Sequence, residues 1–249
     1  MPDLMLEYTN NKNLTAMNKN PIKYLIIIAI FVSNTLSAQE TITRKLAEFY
    51  SLNAVGNLRV EIFPSDQAYA EIYYSGTTPE KVITEIKDFE LSIRLSTDTP
   101  KDASIRIVLY YVKLHKISAS ANAGIISNEI LKGDEVEFLA LRGGKIDLVL
   151  ELNSLNADLK QGGNISFKGR VQKQNVTAST GATYQAYELE ADDSYAKSSS
   201  GAIVKVVARR IMDATANTKG FIGYKGDPVN SSVKTNFGGE IANFKDKVE

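Results

Sequence analysis

Hydrophobic and polar residues in the second half of the chain recur in a fixed relation to glycine. Seven glycines follow one another at intervals of 18 to 20 residues: Gly124, Gly144, Gly163, Gly181, Gly201, Gly220 and Gly239. Two places after them stand Ile126, Ile146, Ile165, Thr183, Ile203, Ile222 and Ile241, all of them β-branched. Small polar residues precede most of these glycines, as in KSSSGAIVKVV at 197–207. A constant period of this length indicates a repeat architecture.

Each repeat predicts a corner of small residues followed by a strand that opens on isoleucine, because glycine permits sharp turns and β-branched residues favour strands. A unit of about 20 residues is too short for a strand and a crossover helix, and it fits one coil of an all-β parallel solenoid. The isoleucines would then stack as an internal ladder at about 4.8 Å. On this interpretation Ile203→Asp unfolds the coils and Lys205→Glu is nearly silent. An antiparallel β-sandwich with regular turns is the alternative.

The first half of the sequence is less regular but also favours strands. Leu58, Val60 and Ile62 alternate on one face, as do Phe89, Leu91, Ile93 and Leu95, and residues 103–118 carry apolar side chains on both faces. Helical spacing occurs in residues 78–89, where Val82, Ile83 and Ile86 form a short stripe, and a loop is the alternative there. We predict one domain over 39–249, with an irregular β region at 39–117 and regular coils at 118–249.

A targeting segment precedes the predicted domain. From Met17 the chain carries two lysines, an eight-residue apolar run at Leu25–Val32, and small residues up to Ala38. This is the layout of a secretory signal, and the run is shorter than the about 20 apolar residues that span a bilayer. We therefore expect Met17 as the start, residues 1–38 as extension and signal peptide, and no membrane span after cleavage. The predicted location is the periplasm, the outer cell surface or the medium.

Composition limits the classes of partner and of chemistry. The 29 basic and 29 acidic residues give a formal net charge of zero, so the chain has no overall field that would attract nucleic acid. The absence of cysteine excludes disulfides, thiolate metal sites and cysteine nucleophiles.

Residues with catalytic potential are few. His115 is the single histidine, no Gly-x-Ser-x-Gly motif accompanies it, and we interpret it as an edge or partly buried strand residue. Asp147, Glu151 and Asp158 are the carboxylates best placed to share an outer surface, although solvated charges are the simpler interpretation. Calcium-binding repeats and phosphate-binding loops are absent from the sequence. We predict no catalytic, cofactor or metal site.

Tyrosines supply the candidate binding surface. Tyr184, Tyr187 and Tyr195 lie within a dozen residues, and Tyr73, Tyr74, Tyr110 and Tyr111 add to the aromatic content of the first half. Exposed tyrosines stack on sugars or bind protein. The alternative is that they fill a core that has no tryptophan.

Three stretches carry a resemblance to a known family. They are LNAVGNLRVEIFPSDQAYAEIYYSG at 52–76, FELSIRLS at 89–96, and GFIGYKGDPVNSSVKTNFGGEI at 220–241, in which GYKGDPV is the most specific part. The mature chain resembles the putative auto-transporter adhesin, head GIN domain family of exported Bacteroidetes proteins. It departs from the family at PSDQ, residues 64–67, where a glycine-aspartate pair is usual. The resemblance implies a right-handed β-helix-like solenoid and an adhesin role, and it assigns no catalytic residues.

Together these observations predict an exported, non-enzymatic β-solenoid whose partner is a glycan or a protein at the cell envelope. A carbohydrate-active β-helix enzyme is one alternative, and it requires carboxylates that converge in a groove. A structural envelope protein that oligomerises through the end of the solenoid is the other.

Overall fold

The structure is a computed structural model that describes residues 40–244. The predicted extension and signal peptide at 1–38 lie outside the described residues. Within 40–244 the chain forms one short 3-10 turn, Pro79–Lys81, and strands with the following bounds: β1 Glu40–Lys45, β2 Ser51–Val55, β3 Arg59–Pro64, β4 Tyr69–Ser75, β5 Val82–Lys87, β6 Glu90–Leu95, β7 Ser104–Tyr111, β8 Lys116–Ser120, β9 Gly124–Leu141, β10 Lys145–Lys160, β11 Asn164–Ala178, β12 Thr183–Ser198, β13 Ile203–Val207, β14 Ile211–Asn217, β15 Phe221–Lys225, β16 Asn230–Asn236 and β17 Glu240–Asn243.

The regular half consists of coils of about 19 residues that stack in parallel as a β-solenoid of about seven turns. In each coil a first leg and a second leg, such as residues 145–152 and 154–160 of β10, lie on two sides of a common core. The long strands β9 to β12 contain both legs, whereas the last coils divide them between β13 and β14 and between β15 and β16. Parallel pairing of successive coils confirms the predicted solenoid and excludes the antiparallel sandwich. The right hand of the coil stays a prediction.

A tight turn begins each coil and explains the periodic glycines. At one such corner Arg142 and Gly143 both have positive φ, 49° and 75°, and the N–H of Gly144 donates to the carbonyl of Leu141 at 3.0 Å. Two successive positive φ angles are the mark of a type I′ turn. A Cβ on Gly144 would lie 2.0 Å from the carbonyl oxygen of Ala119 in the preceding coil. Stacking therefore requires glycine at this corner, whereas Ala123, Ala182 and Ala202 occupy the same position at other corners.

The internal ladder exists, but its members differ from the predicted set. Register pairs connect a column of inward residues through successive coils: Val60, Ile125, Ile146, Ile165, Tyr184, Val204, Ile222 and Ile241. Ile126 and Thr183 lie outside this column and are half-buried, and Ile203 points outward with 38% of its surface exposed. The predicted placement of Ile203 in the ladder is therefore wrong, which removes the reason to expect that Ile203→Asp unfolds the coils.

The cause of this error is that the glycine does not hold one position in the turn. Gly144 and Gly220 are third corner residues, so the second residue after each of them points inward. Gly201 is the second residue of its corner, so the residue two places after it, Ile203, lies one position earlier in its strand than Ile146 or Ile222 does. Because strand side chains alternate, a shift of one place turns an inward residue into an outward one.

In the N-terminal half the spatial order of the coils departs from the chain order. The coil formed by β2 and β3 lies between the coil of β6 and β7 and the coil of β8 and β9. Antiparallel strands then cover the N-terminal end of the solenoid: β5 pairs with β6, β4 pairs with β7, and β1 pairs with β4. We call β1, β4 and β5 the N-terminal cap.

Two local predictions for this half are corrected. The segment with helical spacing forms the turn Pro79–Lys81 and then strand β5, because Val82, Ile83 and Thr84 are β-branched and pair with β6. Phe89 does not share the inward face of Leu91 and Ile93. It lies in a turn with φ 60° and is 56% exposed.

The C-terminal end of the solenoid is open in the described part of the chain. Within residues 40–244, β16 pairs with β14 alone and β17 with β15 alone. Every residue of β16 is exposed, including Val233, although its register partner Ala214 is buried. No helix found among the described residues has the length and apolar character needed to cross a membrane.

Candidate functional site

The structure removes Tyr184 from the predicted binding surface. Its side chain has no exposed surface and belongs to the internal ladder. The Tyr184 hydroxyl donates a 2.9 Å hydrogen bond to Oε1 of Gln174, whose Nε2 donates to the Ser194 hydroxyl at 2.8 Å. Burial raises the pKa of Tyr184. Tyr184 is thus a core residue within a buried polar network.

Tyr187 and Tyr195 point outward, but they lie on different legs of the coil. The Tyr187 ring has Lys205 Nζ 5.8 Å and Lys225 Nζ 5.4 Å from its centre. The Tyr195 ring lies under Lys173 Nζ at 5.2 Å and lines a shallow depression on the second leg. The three tyrosines do not form one surface, and a binding role for Tyr187 or Tyr195 separately stays a prediction.

The candidate catalytic residues do not converge. His115 is exposed at the bend before β8, not within a strand, and its ring contacts Tyr50 edge-on at 6.0 Å. Glu151 pairs with Lys132 at 2.9 Å on the first leg, and Asp158 pairs with Lys160 at 2.6 Å on the second. Asp147 is exposed on the first leg. Among the described residues, no group of three or more His, Cys, Asp or Glu side chains could hold a metal ion.

A row of three stacked aromatic rings lies on the outer surface near the N-terminal cap. Phe63 of β3, Tyr110 of β7 and Tyr69 of β4 are in register on neighbouring strands. The Tyr69 and Tyr110 ring centres lie 4.2 Å apart with an angle of 11° between the planes, and Phe63 follows Tyr110 at 5.7 Å. We call these residues the aromatic stack. Adjacent strands lie 4.7 to 4.9 Å apart, which is the spacing that face-to-face rings need.

The next outward positions carry paired charges. Arg106 forms a 2.5 Å salt bridge with Glu61 and lies 5.3 Å from the centre of the Tyr73 ring. The Tyr73 hydroxyl donates to Glu71 at 2.9 Å. The hydrogen bond from Arg106 holds the pKa of Glu61 below its usual value, and the hydrogen bond to Glu71 raises the pKa of Tyr73. These two pairs hold the side chains of Arg106 and Tyr73 in place beside the aromatic stack.

An open depression of about 710 Å³ adjoins the outer end of the aromatic stack. It is lined by Thr43, Lys45, Leu46, Glu48, Asp66, Gln67, Ala68, Tyr69 and Val112. Tyr110 covers one face of the Tyr69 ring, and β1, which carries Lys45 opposite Tyr69, lies on the other side. Tyr69 lines the depression, which adjoins the part of its ring that Tyr110 does not cover. We call this the Tyr69 depression.

Sequence reasoning named Tyr110 but missed Phe63 and Tyr69. All three stand at outward positions of alternating strands, which was a usable signal. Their proximity depends on the pairing of β4 with β7 and of β7 with β3, and the sequence alone does not specify these pairs.

Comparison with known proteins supports the fold. A family model described as "Putative auto-transporter adhesin, head GIN domain" matches residues 48–228. A crystal structure of a putative adhesin from Bacteroides fragilis superposes with a TM-score of 0.72 and 20% identity, covering 84% of this chain and 99% of that one.

Two Parabacteroides structures are also similar. A putative adhesin from Parabacteroides merdae gives a TM-score of 0.67 at 18% identity, covering 82% of this chain and 95% of that one. A protein named a putative lipid binding protein from Parabacteroides distasonis gives 0.63 at 19%, covering 82% and 96%. At these identities the likeness shows the fold alone. No curated protein matches the sequence.

Proposed function

We propose a binding role from the premise that this chain belongs to the putative auto-transporter adhesin, head GIN domain family. The protein is an exported, non-enzymatic β-solenoid that binds a glycan or a protein at the cell envelope. Solved structures of the same fold are named putative adhesins, which agrees with this role. A stack of coils holds side chains at fixed spacing over a long surface, which suits binding to an extended partner.

The observation that carries the proposal is the aromatic stack with the Tyr69 depression beside it. Aromatic side chains offer large contact areas at low cost in conformational entropy, and they are enriched where proteins bind partners. Here three of them lie on the outer surface, where they contribute nothing to the internal ladder. A binding role accounts for this arrangement.

The charge arrangement supports a non-enzymatic role over a carbohydrate-active enzyme. Glycoside hydrolysis needs two carboxylates that face each other at roughly 5 to 10 Å. Glu151 and Asp158 are each paired with a lysine and lie on different legs. Neither is placed to act as an acid with the other as base.

The test is binding of the purified, fluorescently labelled protein to intact cells and to isolated envelope fractions of the source organism. We expect saturable binding that unlabelled protein competes away. Periodate treatment of the envelope removes glycan partners, and protease treatment removes protein partners, so the two treatments identify the class. Absence of saturable binding to every fraction at micromolar concentration would contradict the proposed function.

The open C-terminal end favours self-association as a second candidate function. An edge strand with free backbone groups and little charge pairs readily with another strand. Two copies of β16 paired antiparallel about Val233 would place Lys234 opposite Ser232, so no like charges meet. Because antiparallel strands cover the other end, this contact would form a closed two-fold dimer.

Sedimentation velocity over a hundredfold range of concentration tests this candidate. A dimer that Val233→Asp dissociates without loss of β-sheet signal would support it. Val233 is 50% exposed, so the substitution leaves the core intact. A monomer at every concentration would eliminate self-association as the function.

A further inference from the structure

We propose that the Tyr69 depression is a carbohydrate site that takes a neutral hexopyranose unit of a larger glycan. This inference rests on the proposed binding function and names the ligand class and the residues. A hexopyranose has one apolar face made of axial C–H groups and a periphery of hydroxyls. Its site needs a flat apolar wall and a polar rim, and the Tyr69 depression has both.

The wall is the ring of Tyr69, which lines the depression beside Lys45 of β1. Tyr110 lies against one face of this ring at 4.2 Å, and Phe63 supports Tyr110 in turn. This support from behind holds the Tyr69 ring in one orientation before the ligand arrives. A ring that is already fixed loses little conformational entropy on binding. The contact with the sugar face therefore contributes to the binding free energy without this entropic cost.

The floor and the rim provide the remaining contacts. Leu46, Ala68 and Val112 make the apolar part, and Val112 is 60% exposed. Thr43, Lys45, Glu48, Asp66 and Gln67 supply polar groups around it. This set combines hydroxyl, ammonium and amide donors with carboxylate and carbonyl acceptors, so each sugar hydroxyl can both donate and accept.

The charge of the rim selects among sugars. Two carboxylates, Glu48 and Asp66, stand against one ammonium, Lys45. A uronate or sialic acid would bring a third carboxylate to a site with a single cation, and like charges repel. The volume of about 710 Å³ falls within the ordinary range for ligand sites and accommodates one or two sugar rings. A neutral hexose therefore fits best.

The experiment measures binding of neutral hexasaccharides of glucose, galactose and mannose by saturation-transfer NMR and calorimetry, with polygalacturonate as the acidic comparator. We expect at least one neutral hexasaccharide to bind and polygalacturonate to bind at least tenfold more weakly. Saturation should be strongest on the axial ring protons, because these would lie on the Tyr69 face. Failure of all three neutral sugars at millimolar concentration would overturn the inference.

Matched variants connect the binding to this site. Tyr69→Ala should weaken binding at least tenfold, and Tyr69→Phe should change it less than threefold because the ring face is kept. Thr43→Arg, on the exposed cap strand, should block the depression and weaken binding as Tyr69→Ala does, even if Tyr69→Ala perturbs folding. Phe237→Ala is the control, because Phe237 is an exposed aromatic residue between β16 and β17 at the C-terminal end of the solenoid, and it should bind like the unmodified protein.

The outcomes separate this inference from the proposed function. If Thr43→Arg and Tyr69→Ala bind the sugar normally, the site is wrong. If both variants still bind envelopes, and periodate treatment leaves that binding unchanged, the partner is a protein and the carbohydrate inference falls while the binding function stands. If the unmodified protein binds no envelope fraction, the proposed function itself falls.

Discussion

Two adjacent residues of β13 should respond oppositely to the same substitution. Val204 lies in the internal ladder between Tyr184 and Ile222 and has no exposed surface. Ile203 precedes it, points outward and is 38% exposed. We predict that Val204→Asp unfolds the coils and that Ile203→Asp leaves them folded.

The magnitudes follow from burial. Val204→Asp loses about 1.5–3 kcal/mol of hydrophobic burial and adds several kcal/mol for a buried carboxylate without a partner. The total, about 5 kcal/mol or more, is comparable with the whole stability of an ordinary domain. Ile203→Asp loses part of one side chain's burial and some strand propensity, about 1–2 kcal/mol.

The assay is urea unfolding followed by circular dichroism and by tyrosine fluorescence, since the chain has no tryptophan. The Val204→Asp variant should lack a cooperative transition at pH 7. Burial disfavours the charged form and raises the carboxyl pKa of the new Asp above the value of about 3.9 in the unfolded chain. The penalty is therefore complete above the folded pKa and disappears below the unfolded one, so structure should return as the pH falls toward about 4.

The control is Lys205→Glu, an outward change on the same strand that should be nearly silent for folding. The result that would refute the reasoning is a folded Val204→Asp beside an unfolded Ile203→Asp. This would mean that β13 is shifted by one residue relative to β12, which exchanges its inner and outer faces.

Three further predictions concern the corners, the core and the N-terminal surface. Gly144→Ala should lower the free energy of unfolding in urea by about 3 kcal/mol or more, since its Cβ would lie 2.0 Å from a backbone oxygen of the preceding coil. Gly162→Ala has open space around it and should cost only about 1 kcal/mol, because of its positive φ. Equal effects of the two substitutions would contradict coil stacking. Tyr184→Phe should lower stability in thermal unfolding by about 1–2 kcal/mol, because it leaves the oxygen of a buried glutamine without its donor, and an unchanged melting temperature would argue against the network. Asp98 should titrate by NMR with a pKa of about 2, since Lys81 and a serine hydroxyl donate hydrogen bonds to its carboxylate. The stability that the ionised Asp98 contributes is then present above about pH 4 and is lost as the pH falls toward 2. Lys81→Ala should raise this pKa, and an unchanged pKa would mean that the Lys81–Asp98 salt bridge is absent.

The sequence predicts the repeat but not which residues face inward. Glycine periodicity identifies the corners because a Cβ at Gly144 or Gly163 would lie 2.0 Å from a backbone oxygen of the preceding coil. The inward position depends on the place of glycine within the turn. Non-glycine residues such as Asn122 and Lys219 also take positive φ at corners, so glycine does not mark every second corner position. An error of one residue in this count placed Ile203 inside and Tyr184 outside.

The candidate site could not be read from the sequence for a different reason. Tyr69 and Tyr110 are 41 positions apart, and their contact depends on the antiparallel pairing of β4 with β7. Local periodicity carries no information about which distant strands pair. For the same reason the sequence does not predict that the β2–β3 coil lies between two coils that come later in the chain.

The physical logic of a solenoid explains why the site lies at the cap and not along the regular coils. In the regular coils each residue lies above a residue of the preceding coil in register. Their outer surface therefore carries cross-coil salt bridges such as Lys132–Glu151 and Lys168–Glu188. The Tyr69 depression instead lies between neighbours of unlike length and direction. There β4 runs antiparallel to both β7 and β1, and Tyr69 of β4 lines the depression. The N-terminal cap, which the repeat pattern does not predict, is thus the part of the chain that forms the proposed ligand site.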